Sequence, residues 1–189
     1  GIVFQDYKLL RHRTVAENIA FPLEVCGIPA PAVQERVQKV LQLMELSKHA
    51  NTLPPALSGG EKARAAIGRA IVHEPMIVLA DEPTGNVDPD QSVAIMELFR
   101  KIHATGTTVI IATHDSGLVD ALQPRVIELQ DGKIVRDSVG GYSKTKANAK
   151  PVASGHGKHH VFAEGDEQPA AETTTTPGRK KVRVTSVGS

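Results

Sequence analysis

The chain has 189 residues, with 22 Lys and Arg against 21 Asp and Glu, a formal net charge of +1 and 40% hydrophobic residues. That balance excludes a nucleic-acid or membrane-surface binder working by bulk electrostatics. No uninterrupted apolar stretch reaches the about 18 residues that a membrane span requires, so any membrane contact would be made through a partner. The length suits one globular domain of about 150 residues followed by a tail. The single cysteine, Cys26, excludes an internal disulfide framework, suits a reducing compartment and reads as a packing residue.

In chain order, Gly1-Ile-Val-Phe-Gln reads as a strand entering a loop, with none of the marks of a signal peptide, so the chain is expected to begin inside a fold. Thr14-Val-Ala-Glu17 has capping-box spacing, and the helix that follows toward Gly27 contains Pro22, which is expected to kink or shorten it. A second helix is predicted from about Pro31 to Leu46, with Val33, Val37, Val40, Leu41 and Met44 on one face. Two amphipathic helices here suggest a small helical subdomain. Pro54 and Pro55 break the chain, and Ser58 opens a third helix with Glu61 three residues on.

The period then changes. Met76 to Ala80 and Thr107 to Ala112 are short apolar runs separated by a helical stretch around Val93 to Ile102, and this strand, helix, strand order argues for a parallel sheet. Arg125 to Leu129 and Lys133 to Val135, joined through Gln130-Asp131-Gly132, read as a terminal hairpin. From about Ser143 the composition shifts to Lys, Ala, Gly, Thr and Pro, including Thr173 to Thr176, and predicts a disordered tail over 143–189.

Three places carry chemistry. Ser58-Gly59-Gly60 at a helix start offers backbone amides, a hydroxyl and a positive dipole end to an anion, although Ser58 and Glu61 also suit plain helix capping. Asp81 and Glu82 end a buried apolar strand, the edge at which open α/β sheets place ligands, although Asp-Glu-Pro also suits a simple turn. His114 ends the second strand, where a histidine is a hydrogen-bond donor or a structural residue.

Taken together, Gln5, Leu57-Ser58-Gly59-Gly60-Glu61, Asp81-Glu82, Gly85-Asn86-Val87-Asp88 and His114 resemble, in order and spacing, the ATPase domain of ATP-binding cassette (ABC) proteins over roughly residues 1–142. The resemblance implies an α/β fold: an incomplete P-loop NTPase (ABC-type) core with a parallel sheet and a helical subdomain. The helical subdomain would span about 8–70, the core about 71–142. It also implies ATP and Mg²⁺ as cofactors and a head-to-tail homodimer with ATP between the chains. Ser58, Gly59, Gly60 and Glu61 would form the signature that meets the opposite subunit's nucleotide, with Glu61 standing where Gln is commonest. Asp81 would hold Mg²⁺, Glu82 would be the general base for water, and His114 would contact the γ-phosphate and orient Glu82. Gln5 would reach Mg²⁺ and the attacking water, and Asp88 would reach across the dimer, unless it only caps a helix. No G-x-x-x-x-G-K-[ST] phosphate loop occurs in the 189 residues, so the chain is expected to be truncated at its front and inactive alone.

Phe4-Gln-Asp-Tyr-Lys-Leu-Leu10, Thr14-Val-Ala-Glu-Asn18 and Ala80-Asp-Glu-Pro-Thr-Gly-Asn86 are similar to the branch of cell-division, lipoprotein-releasing and macrolide-exporting ATPases, and most to its cell-division FtsE group. That resemblance implies an FtsX-like membrane subunit and a peripheral place on the cytoplasmic face of the membrane. A groove receiving that subunit would be lined by Tyr7, Leu9 and Leu10, which suit subdomain core equally well. An exporter ATPase or a non-hydrolysing partner-binding module are the alternatives. In the tail, the basic residues Lys144, Lys146, Lys150, Arg179, Lys180, Lys181 and Arg183 are interrupted by acidic ones and read as a solvated linker. No metal role is assigned to His156, His159 and His160.

Overall fold

A computed structural model describes residues 1–122 and 124–140 and a strand at Val182–Val187. The elements are β1 (Ile2–Val3), α1 (Val15–Val25), α2 (Ala30–Leu43), α3 (Gly59–Ile71), β2 (Ile77–Asp81) and α4 (Pro89–Ala104). They continue with β3 (Thr108–Thr113), α5 (Ser116–Leu122), β4 (Arg125–Gln130), β5 (Lys133–Val139) and β6 (Val182–Val187).

The helix starts follow local chemistry. At α1, Thr14 Oγ1 accepts from the Glu17 amide (3.2 Å) and Glu17 Oε2 accepts from the Thr14 amide (2.7 Å), the reciprocal pair that the spacing predicts. Pro22 lies inside α1 and withholds one helical amide, and the helix still runs to Val25. Asn18, fully buried, ties the preceding loop to α1: its amide group donates to the carbonyls of Leu10, Arg13 and Thr14, and its Oδ1 accepts from the Leu10 amide at 2.7 Å. Helix α2 stops before the predicted Leu46. Glu45 turns into the left-handed region (φ 57°), and the Leu46 amide reaches back to the Leu41 carbonyl at 2.8 Å, which closes the last turn.

Strands β1, β2 and β3 are parallel, with Ile2 opposite Leu79 and Leu79 opposite Ile110. Strands β4 and β5 form the predicted hairpin, and Asp131 (φ 50°) and Gly132 (φ 74°) supply the two left-handed residues of its tight turn. The sheet order is β1-β2-β3-β6-β4-β5. Strand β6 departs from the disordered tail expected of the sequence: Val182–Val187 pairs antiparallel with both β3 and β4, because a backbone strand between two open edges satisfies both rows of hydrogen-bonding groups. The rest of the expected tail, with its basic residues before 182, its histidines and its Thr run, lies outside the described residues.

One hydrophobic core joins helices and sheet, from Val15 and Ile19 through Met44, Ala66 and Ile67 to Phe99, Val109 and Ile111. Helix α3 contacts α1, α2, α4 and β1, so it is the hinge between the helical layer and the sheet. Strand β2 alternates: Val78 and Ala80 are buried in that core, and Ile77 and Leu79 point to the other face and stay exposed.

Candidate functional site

Two clusters collect the residues that the sequence singles out. The first lies at the carboxyl ends of β1, β2 and β3. Asp81 is the last residue of β2, and Glu82 follows it with φ 45°, a strained value for a residue with a Cβ. The surrounding bonds hold it there: the Glu82 amide donates to the Ala112 carbonyl (2.9 Å) and the Glu82 carbonyl accepts from Gly85 (3.0 Å). The carboxylate turns toward β3, where Oε1 accepts from the His114 amide (3.1 Å) and sits 2.7 Å from His114 Nδ1. Because a carboxylate only accepts, this contact places the ring proton on Nδ1. Thr113 Oγ1 lies 3.5 Å from Glu82 Oε2. Gln5 borders the same turn: its carbonyl accepts from Asn86 Nδ2 at 3.1 Å, and its side-chain amide lies close to Gly85.

The second cluster lines a cleft of about 280 Å³ built from Ser58 to Glu61, Arg64, Asn86 to Asp88 and Gln91. Ser58 caps α3: its hydroxyl accepts from the Glu61 amide (3.3 Å) and donates to Glu61 Oε2 (2.8 Å), which also accepts from the Ser58 amide (2.7 Å). These bonds, that from the backbone amide foremost, hold the Glu61 carboxyl below its usual range. Asp88 caps α4 by accepting from the Gln91 amide at 3.0 Å, while Gln91 Oε1 accepts from Arg64 at 3.1 Å. Gly59 is a glycine for steric reasons: a Cβ there would lie 2.5 Å from the Asn86 carbonyl oxygen.

Sequence reasoning gave no role to four residues that build these clusters. Asn86 joins them, with its side chain on Gln5 and its backbone against Gly59. Gln91 and Arg64 floor the cleft. Arg69 donates to the carbonyls of Tyr7 (2.8 Å) and Lys8 (2.7 Å), which hold φ values of 62° and 46°, and so fixes the loop after Gln5. Tyr7 is buried, Leu9 packs on the core, and a second cleft of about 360 Å³ runs between Asp6, Tyr7, Leu9, Arg11, Pro54, Pro55 and Lys62. A further groove, about 830 Å³, opens at the other ends of β2 and β3 near Met76 and Thr107 and contains none of the predicted site residues.

A parallel sheet whose carboxyl edge carries Asp81, Glu82 and His114, beside a helix opened by Ser58-Gly-Gly, defines an ABC-type ATPase fold. The family model for ABC transporters matches residues 1–85. It is 52% identical over 141 residues to the cell division ATP-binding protein FtsE of Mycobacterium tuberculosis, covering 75% of this chain and 61% of the relative. It is 49% identical over 141 residues to FtsE of Bacillus subtilis, covering 75% of this chain and 62% of that protein. Among solved structures, it matches the dimeric ATP-binding cassette MJ0796 in a post-hydrolysis state with ADP and Pi. The TM-score is 0.63 at 34% identity, over 74% of this chain and 62% of that one. The chain thus spans about three fifths of the curated relatives it matches.

Proposed function

We propose that this chain is the ATP-binding and ATP-hydrolysing subunit of an FtsEX-like ABC complex that acts in cell division with an FtsX-like membrane subunit. The observation that carries this reading is the Glu82 carboxylate, fixed at the end of β2 and bonded to His114 Nδ1 at 2.7 Å.

Asp81, at the end of β2, and Gln5, beside the Gly85–Asn86 turn, would hold Mg²⁺ together with water and the nucleotide's own phosphates. Bound Mg²⁺-ATP supplies a phosphoryl group whose negative charge the site must stabilise. Glu82 accepts the proton of the attacking water and positions it, and His114 keeps that carboxylate aimed. With its Nδ1 proton committed to Glu82, the His114 ring donates to a γ-phosphate oxygen through Nε2 only when it is doubly protonated. Ser58, Gly59 and Gly60 would contact the nucleotide of the opposite chain in a head-to-tail homodimer, and Asp88 would reach toward that same site.

The Tyr7 and Leu9 cleft would receive a helix of the membrane subunit. In its favour, the Tyr7 hydroxyl is buried without a hydrogen-bond partner among the described residues. On this reading the chain would sit at the cytoplasmic membrane face through that partner; no helix among the described residues is long and apolar enough to cross a membrane.

The test is Mg-ATP hydrolysis by the 189 residues beside a longer protein carrying an upstream phosphate-loop segment, with Glu82→Gln in the longer protein. Activity is expected only in the longer protein and should fall by about 10²-fold or more in the variant. Hydrolysis indifferent to Glu82 would remove the proposed base. No hydrolysis in either length would favour a partner-binding module.

A further inference from the structure

The groove of about 830 Å³ near Met76 and Thr107 lies between α2, the turn after α3 and the end of α4. Its lining is largely apolar: Val40, Val72 and Ile102 are buried, while Leu43 and Met76 remain 45% and 85% exposed. Exposed apolar surface of this kind, rimmed by charge, marks a place where another segment packs. The charges do not all cancel within the groove. Lys39 is bonded to Glu35 at 2.6 Å, whereas Arg36 and Lys101 have no carboxylate within ion-pair distance among the described residues. Glu74 is the groove's one acidic group without a close cation among those residues.

The chain leaves the sheet at this same edge. Val139, the last residue of β5, lies opposite Arg125, and Arg125 is level with Ile110 through Ser186 of β6. Strand β5 therefore runs out toward the ends of β2 and β3 at which Met76 and Thr107 stand. From β5 to β3 is three strand spacings, about 14 Å. The stretch from Gly140 to Val161 can cover up to about 70 Å, and that from Glu167 to Val182 up to about 50 Å, against a strand height of about 20 Å. Within 141–181, outside the described residues, the sequence reads Lys158-His-His-Val161-Phe162-Ala-Glu164-Gly-Asp166-Glu167. Val161-Phe162 is the only pair of adjacent large apolar residues in that stretch, and all of its acidic residues follow the pair. An aromatic anchor followed by carboxylates is the complement of an apolar groove that carries Arg36 and Lys101. Lys158, on the other side of the anchor, answers Glu74.

We propose that this groove is the docking site of the chain's own residues 161–167. Phe162 covers Leu43 and Met76, and Glu164, Asp166 and Glu167 meet Arg36 and Lys101. Because the segment is tethered at the same sheet edge, its effective concentration is high and contacts that are individually weak suffice to seat it. The docked segment touches α2 and α4 together, which links the helical layer to the sheet at the end remote from Asp81 and Glu82. The inference is independent of the ATPase reading.

The test uses F162W in the 189-residue chain, which contains no other tryptophan. Emission from the new residue is expected to be blue-shifted, and its quenching by acrylamide at least threefold slower than that of free N-acetyltryptophanamide. Adding M76D, at a site too exposed to cost folding, should abolish most of that protection. Adding R36E/K101E should weaken it as well, and E164K/D166K/E167K should restore it in that background while weakening it in the parent. Unchanged urea midpoints across the series are the control for folding. A tryptophan quenched as freely as the model compound, or protection indifferent to both M76D and R36E/K101E, would overturn docking in this groove. Protection that appears only as protein concentration rises would place the segment on a second copy and overturn the intramolecular occupant.

Discussion

Replacing Gly59 by alanine tests whether the start of α3 and the 85–88 loop are matched in shape. Neither Gly59 nor Gly60 has a positive φ, so alanine suits the backbone at both, and helix propensity alone favours it by up to about 1 kcal/mol. At Gly59, the new Cβ would stand 2.5 Å from the Asn86 carbonyl oxygen, against about 3.4 Å for ordinary contact, and the obstacle is backbone. The loop must therefore retreat by roughly 0.9 Å, and overpacking of this kind costs about 1–3 kcal/mol. At Gly60 the nearest atom is Gln91 Oε1 at 2.8 Å, the end of a side chain that can swing aside. Gly59→Ala should thus lose about 1 kcal/mol net and Gly60→Ala close to nothing. In urea unfolding and thermal melts, the first should lower Tm by about 2–4 °C and the second should leave it within a degree. Equal stability of the two variants, or a larger loss at Gly60, would refute the argument from the Asn86 carbonyl.

Other expectations follow from buried polar groups and charge. Asn18→Ala removes the partner of one amide and three carbonyls at a fully buried position and should cost about 3 kcal/mol by urea unfolding, with Asn18→Asp nearly as harmful because its donors are gone. Arg69→Ala frees the left-handed Tyr7 and Lys8, and amides of residues 7–10 should exchange at least tenfold faster; Arg69→Lys should not rescue, having no fork to span two carbonyls. The Glu61 carboxyl is depressed below 4.5 by the Ser58 bonds, so its stabilisation is complete above pH 4.5 and lost as pH falls through the lower folded value. Glu61→Gln should flatten that part of the acid limb in a stability-versus-pH series while keeping the cap, since Gln also accepts from the Ser58 amide.

Features written in neighbouring residues were legible in the sequence. Both capping boxes, the parallel pair ending at Asp81 and Thr113, and the Asp131-Gly132 turn depend on contacts within a few residues or on a period of two or 3.6. The members of the candidate site were chosen instead from their resemblance, in order and spacing, to the ABC ATPase motifs, since each taken alone also suits a cap, a turn or a structural residue. The bonds of Arg69 and Asn86 were not legible since they depend on how the chain folds back: Arg69 meets Tyr7 across 62 positions and Asn86 meets Gln5 across 81. Strand β6 escaped because tail composition was averaged over 143–189, which diluted the run Val-Arg-Val-Thr-Ser-Val, and because its partners are β3 and β4, far back in the chain.

The sequence leaves open whether Ser58 and Glu61 merely cap a helix or build an anion site, and the geometry removes that opposition. Four amides at a helix start lack helical partners. Here the capping box uses the Glu61 amide, through the Ser58 hydroxyl, and the Lys62 amide already bonds the Ser58 carbonyl at 3.0 Å. The Gly59 and Gly60 amides are left without a hydrogen-bond partner among the described residues, at the positive end of α3 and on the wall of the Asn86–Asp88 cleft. Capping therefore fixes the helix start without consuming the donors that an anion would use. Glycine at both positions keeps Cβ atoms out of the way, and at Gly59 it also lets the loop with Asn86 close against the helix. Because Asn86 also holds the Gln5 carbonyl, a ligand that pressed on the Gly59 and Gly60 amides would move the same loop that borders Glu82. The two clusters are in this way one mechanical unit, and Asn86→Ala should loosen both at once, read as faster exchange at residues 5–8 and at 85–88 together.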